Sequence, residues 1–116
     1  MKIEDVIKIV NGKLICGSEK NRQEKEVDFG FASDLMSDVL TLNQENIVLI
    51  TGLVNNQTIR TAEMADIPCI IFVRNKKVPI EMIEMAKNNN LVLVECENTS
   101  FYVSGKLFEA GLKAVY

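Results

Sequence analysis

Val27-Asp28-Phe29-Gly30-Phe31-Ala32-Ser33-Asp34-Leu35-Met36-Ser37-Asp38 is an apolar run that ends in a tight cluster of small polar and acidic residues. Ile47-Val48-Leu49-Ile50-Thr51-Gly52 follows within ten residues. Val27–Ala32 reads as a strand. Ile47–Ile50, bounded by Asn46 and by Thr51-Gly52, has the pattern of a strand covered on both faces. Between them Ser33 is placed to cap a helix, with Asp34 in its first turn and Leu35, Val39, Leu40 and Leu42 giving a short amphipathic stretch.

Downstream the pattern alternates. Asn55-Asn56-Gln57 opens a helix that carries Ile59, Ala62 and Ala65 on one side and stops before Pro68. Cys69–Val73 is a second buried strand, and Arg74-Asn75-Lys76-Lys77 a charged turn. Pro79 fits the first helical position, with Ile80, Ile83 and Ala86 continuing the stripe to Asn88-Asn89-Asn90. Leu91–Val94 is a strand, and Thr99 or Ser100 caps a last helix running to about Gly111. Upstream, Ile3, Val6, Ile7 and Val10 form a helical stripe that Asn11-Gly12 ends, Lys13–Cys16 is a short strand, and polar Gly17–Glu26 reads as a loop. Repeated strand–helix alternation implies an α/β fold around a mostly parallel sheet of about five strands. The less regular first third makes that sheet mixed if it adds antiparallel pairing.

The 116 residues suit one domain over positions 1–116, with 47% hydrophobic and 25% charged residues. A net charge of −3 argues against nucleic acid as a partner, because phosphate binding needs clustered Lys and Arg. No apolar stretch reaches the ~20 residues of a membrane span. Met1-Lys2-Ile3-Glu4-Asp5 lacks the pattern of a signal peptide. Cys16, Cys69 and Cys96 are odd in number and far apart, so a disulfide framework is not expected, and the cytoplasm is the expected compartment.

The chain has no histidine, which removes Ser–His and Cys–His nucleophile pairs and most zinc sites. No metal or cofactor is expected. The three cysteines have none of the close spacing of iron–sulfur ligands and read as small core hydrophobes. Neither glycine-rich phosphate motif occurs. Two clusters remain as candidates for binding a small anionic ligand. Thr51, Gly52, Asn55 and Asn56 occupy a strand-to-helix loop, where free backbone amides attract anions. Ser33, Asp34, Ser37 and Asp38 form the densest polar group, with the two acids spaced to share a helix face. Capping alone is the competing role for both clusters.

The last helix is apolar on two sides: Phe101, Gly105, Phe108 and Leu112 form one stripe, Val103, Leu107 and Ala110 another. Such a helix must be covered twice. Phe101, Val103, Ser104, Gly105, Leu107 and Phe108 are therefore candidates for a homodimer interface.

Val27–Leu40, together with Ile47–Gly52, Ala65–Phe72 and Phe101–Leu112, resembles the DRTGG domain family over nearly the whole chain. Phe29-Gly30 stands where the family has its glycine pair. The resemblance implies a three-layer α/β/α sandwich, similar to the N-terminal domains of HPr kinase and of the MurE and MurF ligases. It implies a regulatory or assembly module without catalysis, homodimeric, with a protein partner or a ligand as its input. Stand-alone members are often encoded beside iron-hydrogenase genes, so an accessory role in such a system is a further alternative. In the Mur ligases a Ser-Arg step in the comparable loop holds a uridine nucleotide, whereas here Ser33 is followed by Asp34.

Overall fold

Helix α1 (Ile3–Ile9) and strand β1 (Lys13–Cys16) open the chain in the computed structural model, which describes residues 1–116. Helix α2 (Glu19–Glu24), strand β2 (Phe29–Ala32) and the short α3 (Met36–Val39) follow. The chain then alternates through β3 (Ile47–Thr51), α4 (Asn56–Met64), β4 (Cys69–Phe72), α5 (Ile80–Asn88), β5 (Val92–Glu95), α6 (Ser100–Glu109) and β6 (Lys113–Ala114).

All six strands join one sheet in the order β1-β5-β4-β3-β2-β6. Strands β5, β4, β3, β2 and β6 run parallel, and β1 pairs antiparallel with β5. The sheet is mixed, as the irregular first third allows. The sixth strand is the addition to the expected five: β6 is two residues long, pairing Lys113 with Phe29 and Ala114 with Gly30. A segment that short has no periodicity to read.

Side-chain alternation along the strands divides the core in two. Val48, Ile50, Ile71, Val92 and Val94 face one side and pack with Ile3 and Val6 of α1 and Val103 and Leu107 of α6. Ile47, Leu49, Ile70, Phe72 and Leu93 face the other and pack with α3, α4 and α5 through Met36, Ile59 and Met82. The result is the three-layer α/β/α sandwich. Each fully buried Leu, Ile or Phe contributes at most about 1.5–3 kcal/mol by transfer from water, which makes the central strands the main source of stability.

Two local expectations are corrected. Gly17–Glu26 is not all loop: Glu19–Glu24 is helical, capped by Ser18, whose side chain accepts from the Asn21 amide. None of its residues is buried, so no apolar stripe marked it. Polar contacts hold it instead: Arg22 Nε donates to Glu4 Oε2 of α1 at 2.9 Å and Nη1 to the Gly17 carbonyl at 2.6 Å. The second correction concerns α3. Its N-cap position is Leu35, with no side-chain cap, so neither Ser33 nor Asp34 belongs to that helix. At the far end of α6, Gly111 takes φ 109°, and the Leu112 amide bonds back to the Leu107 carbonyl at 3.0 Å. A side chain would be strained in that turn, which aims the chain at β6.

Candidate functional site

Parallel strands β2, β3 and β4 release their chains at the same edge of the sheet, where open α/β sheets hold ligands. Ser33 extends the β2 ladder by one bond, its amide donating to the Ile50 carbonyl at 3.1 Å. Its hydroxyl then accepts from the Leu35 amide at 3.0 Å and turns the backbone. The turn swings Asp34 across to β3. There Asp34 Oδ1 accepts from Thr51 Oγ1 at 2.9 Å and from the Gly52 amide at 2.8 Å. Thr51 Oγ1 in turn accepts from the Leu53 amide at 3.1 Å. The Gly52 amide, then the Thr51 hydroxyl, hold the Asp34 carboxyl below its ordinary range, because both donors favour the charged form. Asp34 is thus a bracket between two strand ends.

Arg74 completes the edge. It follows β4 in a turn where Arg74 and Asn75 have φ of 68° and 57°. The Arg74 amide donates to the Asn98 carbonyl at 2.8 Å and the Asn75 amide to the Cys96 carbonyl at 3.0 Å, which ties the turn to the loop before α6. The guanidinium makes no ion pair. A Cβ placed on Gly52 would lie 3.5 Å from Arg74 Nη1 and 3.6 Å from Asp34 Oδ2, so the two charges flank this glycine. With Ser33, Thr99 and Ser100 they line a hollow of about 400 Å³. Thr99 caps α6 beside it, accepting from the Tyr102 amide at 3.4 Å. A guanidinium and the positive end of a helix attract an anion, and Asp34 Oδ2 is free to accept from a hydroxyl.

The eight polar candidates divide. Ser33, Asp34 and Gly52 line the hollow, and Thr51 stands behind them. Ser37 and Asp38 are exposed on α3 and do not join it; the two acids share no helix face, because Asp34 lies outside the helix. Asn55 caps α4, its side chain accepting from the Thr58 amide at 3.0 Å. Asn56 buries its side-chain oxygen without a partner, outside the hollow. Arg74 escaped the sequence reading as part of a charged turn; its place directly after a buried parallel strand is the signal that would have found it.

The α6 candidates divide as well. Val103 and Leu107 are core residues facing β3, whereas Phe101 is 89% exposed and Phe108 69% exposed. Phe101, Ser104, Gly105 and Phe108 line an apolar groove of about 390 Å³ between α6 and β2, with Gly30 and Ala32 on the strand side. The cysteines do not converge: Cys16 packs on one face of the sheet and Cys69 and Cys96 on the other, all buried. Burial pushes the Cys69 thiol up to about 12.

No curated protein matches this sequence. Among solved structures, the chain is similar to the CBS and DRTGG domains of the regulatory region of Clostridium perfringens pyrophosphatase, complexed with activator, diadenosine tetraphosphate. The TM-score is 0.73 at 13% identity, over 98% of this chain and 48% of that one. The chain therefore spans about half of the structure it matches, and the likeness is one of fold. The family model of the DRTGG domain matches residues 5–110, nearly the whole sequence, and the chain belongs to the DRTGG domain family.

Proposed function

We propose that this chain is a regulatory module, without catalysis of its own, that responds to a small anionic ligand at the carboxyl edge of β2, β3 and β4. One observation carries the reading: the Arg74 guanidinium, free of any ion pair, faces Asp34 across Gly52 in a hollow of about 400 Å³. Pockets of that size with a few convergent polar groups are what small ligands use. Family membership supports it, as does a fold shared with part of a pyrophosphatase regulatory region solved with its activator. A non-catalytic role accords with Ser33, whose hydroxyl meets backbone rather than a base.

Ligand binding at this edge would act by tightening three chain segments at once: the Ser33–Asp34 turn, the Thr51–Gly52 loop and the Arg74–Asn75 turn. The module is one domain over residues 1–116 acting in the cytoplasm.

A thermal-shift series with inorganic phosphate, sulfate and small phosphate esters tests the reading. A ligand at a hundredfold excess over Kd stabilises by about 2.7 kcal/mol, which raises Tm by several degrees. Arg74→Ala removes the shift. A shift of equal size in that variant overturns the site.

Self-association is a second reading, favoured by the exposure of Phe101 and Phe108 on α6. It makes the module a homodimer, or a subunit that docks a protein partner, and light scattering across a concentration series measures it. The hydrogenase association draws nothing from the cysteines, which lie apart and buried.

A further inference from the structure

Building on the anion site proposed above, we infer that its ligand also carries a flat aromatic ring, and that the ring seats in the groove between α6 and β2. The chemical class is that of a nucleoside monophosphate: one anionic group at Arg74, joined through a short polar linker to a heteroaromatic ring.

Continuity of the two spaces is the first ground. Ala32, Ile50 and Phe101 line both the polar hollow and the apolar groove, so one molecule reaches from one into the other. The groove measures about 390 Å³ and lacks any acidic residue among those lining it; Lys113 is its one charged neighbour. The flat faces of a ring carry no hydrogen bonds to lose on entering such a space.

The second ground is Gly105. Glycine in a helix interior is less stable there than alanine, and two structural reasons usually account for it: a positive φ or a close neighbour. Gly105 has neither. Its φ is not positive, and a Cβ built on it meets nothing within 4 Å. What its missing side chain leaves is room on the helix wall of the groove. Gly30 on the opposite wall has the ordinary reason, since a Cβ there would approach Leu112 Cδ2 at 3.2 Å, so Gly105 alone leaves unexplained room. Strand β6 pairs β2 only at Phe29 and Gly30, so the groove stays open toward Ala32 and the hollow.

Phe101 is the third. It stands at the start of α6, 89% exposed, on the boundary of both spaces. An aromatic face left in water at such a junction offers a stacking surface to a ligand ring. The free oxygen of Asp34 flanks Gly52 opposite Arg74, where the hydroxyls of a sugar linker would donate to it.

Calorimetric titration of the full chain with ribose 5-phosphate, adenosine 5′-monophosphate and uridine 5′-monophosphate separates the two levels. Both nucleotides are expected to bind about tenfold or more tighter than ribose 5-phosphate. Gly105→Leu fills the groove and brings that ratio to within about twofold, while ribose 5-phosphate binds as before. Phe101→Ala, a surface change that spares the fold, lowers the same ratio about threefold or more. Ribose 5-phosphate binding that the nucleotides do not improve overturns the ring and leaves the anion site standing. No binding of any of the three overturns both. A nucleotide preference that survives Gly105→Leu and Phe101→Ala overturns the groove as its source. A wild-type mass that doubles with concentration, reverts to monomer in Gly105→Leu and comes with no nucleotide preference gives the groove to a second copy of the chain.

Discussion

Strands β3, β4 and β5 bury every residue they contain, whereas the segments leaving the carboxyl ends of β2, β4 and β5 keep Asp34, Arg74 and Phe101 in water. The centre is held by close packing, with Phe72, Leu49, Ile70 and Ile71 almost wholly out of solvent. The rim is held by a few directed hydrogen bonds, chiefly those that Asp34 accepts from Thr51 and Gly52. Stability and recognition are thus located in different atoms. Changes in the centre should unfold the chain, and changes at the rim should alter what it binds while leaving it folded.

Phe72→Ala is the strongest test of that separation. It empties a buried site between the sheet and helices α4 and α5 and should destabilise by about 3–5 kcal/mol, seen as a lowered midpoint in urea. A loss below about 1 kcal/mol would mean that the centre collapses around the gap and does not hold the fold by packing.

Glu95 stands where the two regions meet. It is buried at the end of β5, accepts from the Val78 amide at 2.9 Å and lies 3.6 Å from the Lys77 ammonium, which is largely exposed. Glu95→Ala leaves a buried amide without a partner and should cost about 2 kcal/mol. Lys77→Ala, by contrast, should be nearly silent, since an exposed charge adds little. Equal losses from both would move Glu95 from the packed centre to the charged rim.

Asp34→Ala should cost about 1 kcal/mol, held down by the exposure of the carboxylate. The pH dependence has a definite sign. The folded pKa lies below the ordinary 3.8, so the contribution is complete above that value and fades as the pH falls through the lowered one. Asp34→Asn should therefore have a shallower acid limb than the wild type, with the two curves converging as the pH falls through the lowered pKa. Parallel curves would show that the bracket does not depend on charge.

The smallest effect has the opposite direction. Gly105→Ala adds a methyl group into open space and removes a flexible residue from the middle of α6, so it should stabilise by about 0.5–1 kcal/mol. Destabilisation would mean that the groove wall is already occupied.

Residues with strong local periodicity were readable from the chain itself. Ile47–Ile50, Cys69–Val73 and Leu91–Val94 are continuous apolar runs, and each becomes a central strand within a residue or two of those bounds. Asn55 and Thr99 cap the helices they precede. Elements that rest on polar or very short contacts were not readable. Helix α2 is anchored through Arg22 and buries nothing, and β6 is two residues pairing with a strand far back in the chain. The candidate site follows the same division. Ser33, Asp34, Thr51 and Gly52 stood out as polar residues at strand ends. Ser33 and Asp34 looked like a helix cap because a cap and a cross-strand bracket use the same residue types.

Burial is a local preference that sums along the chain, so the alternation of the central strands with their helices, the absence of histidine chemistry and the family itself were determined by sequence alone. Which residues meet at the sheet edge was not, because strand order is a long-range property: β2, β3 and β4 become neighbours only when the sheet closes. That closure sets Arg74 against Asp34 across Gly52. It also turns Val103 and Leu107 inward while Phe101 and Phe108 stay in water, a choice between two apolar stripes that only the tertiary packing of α6 makes.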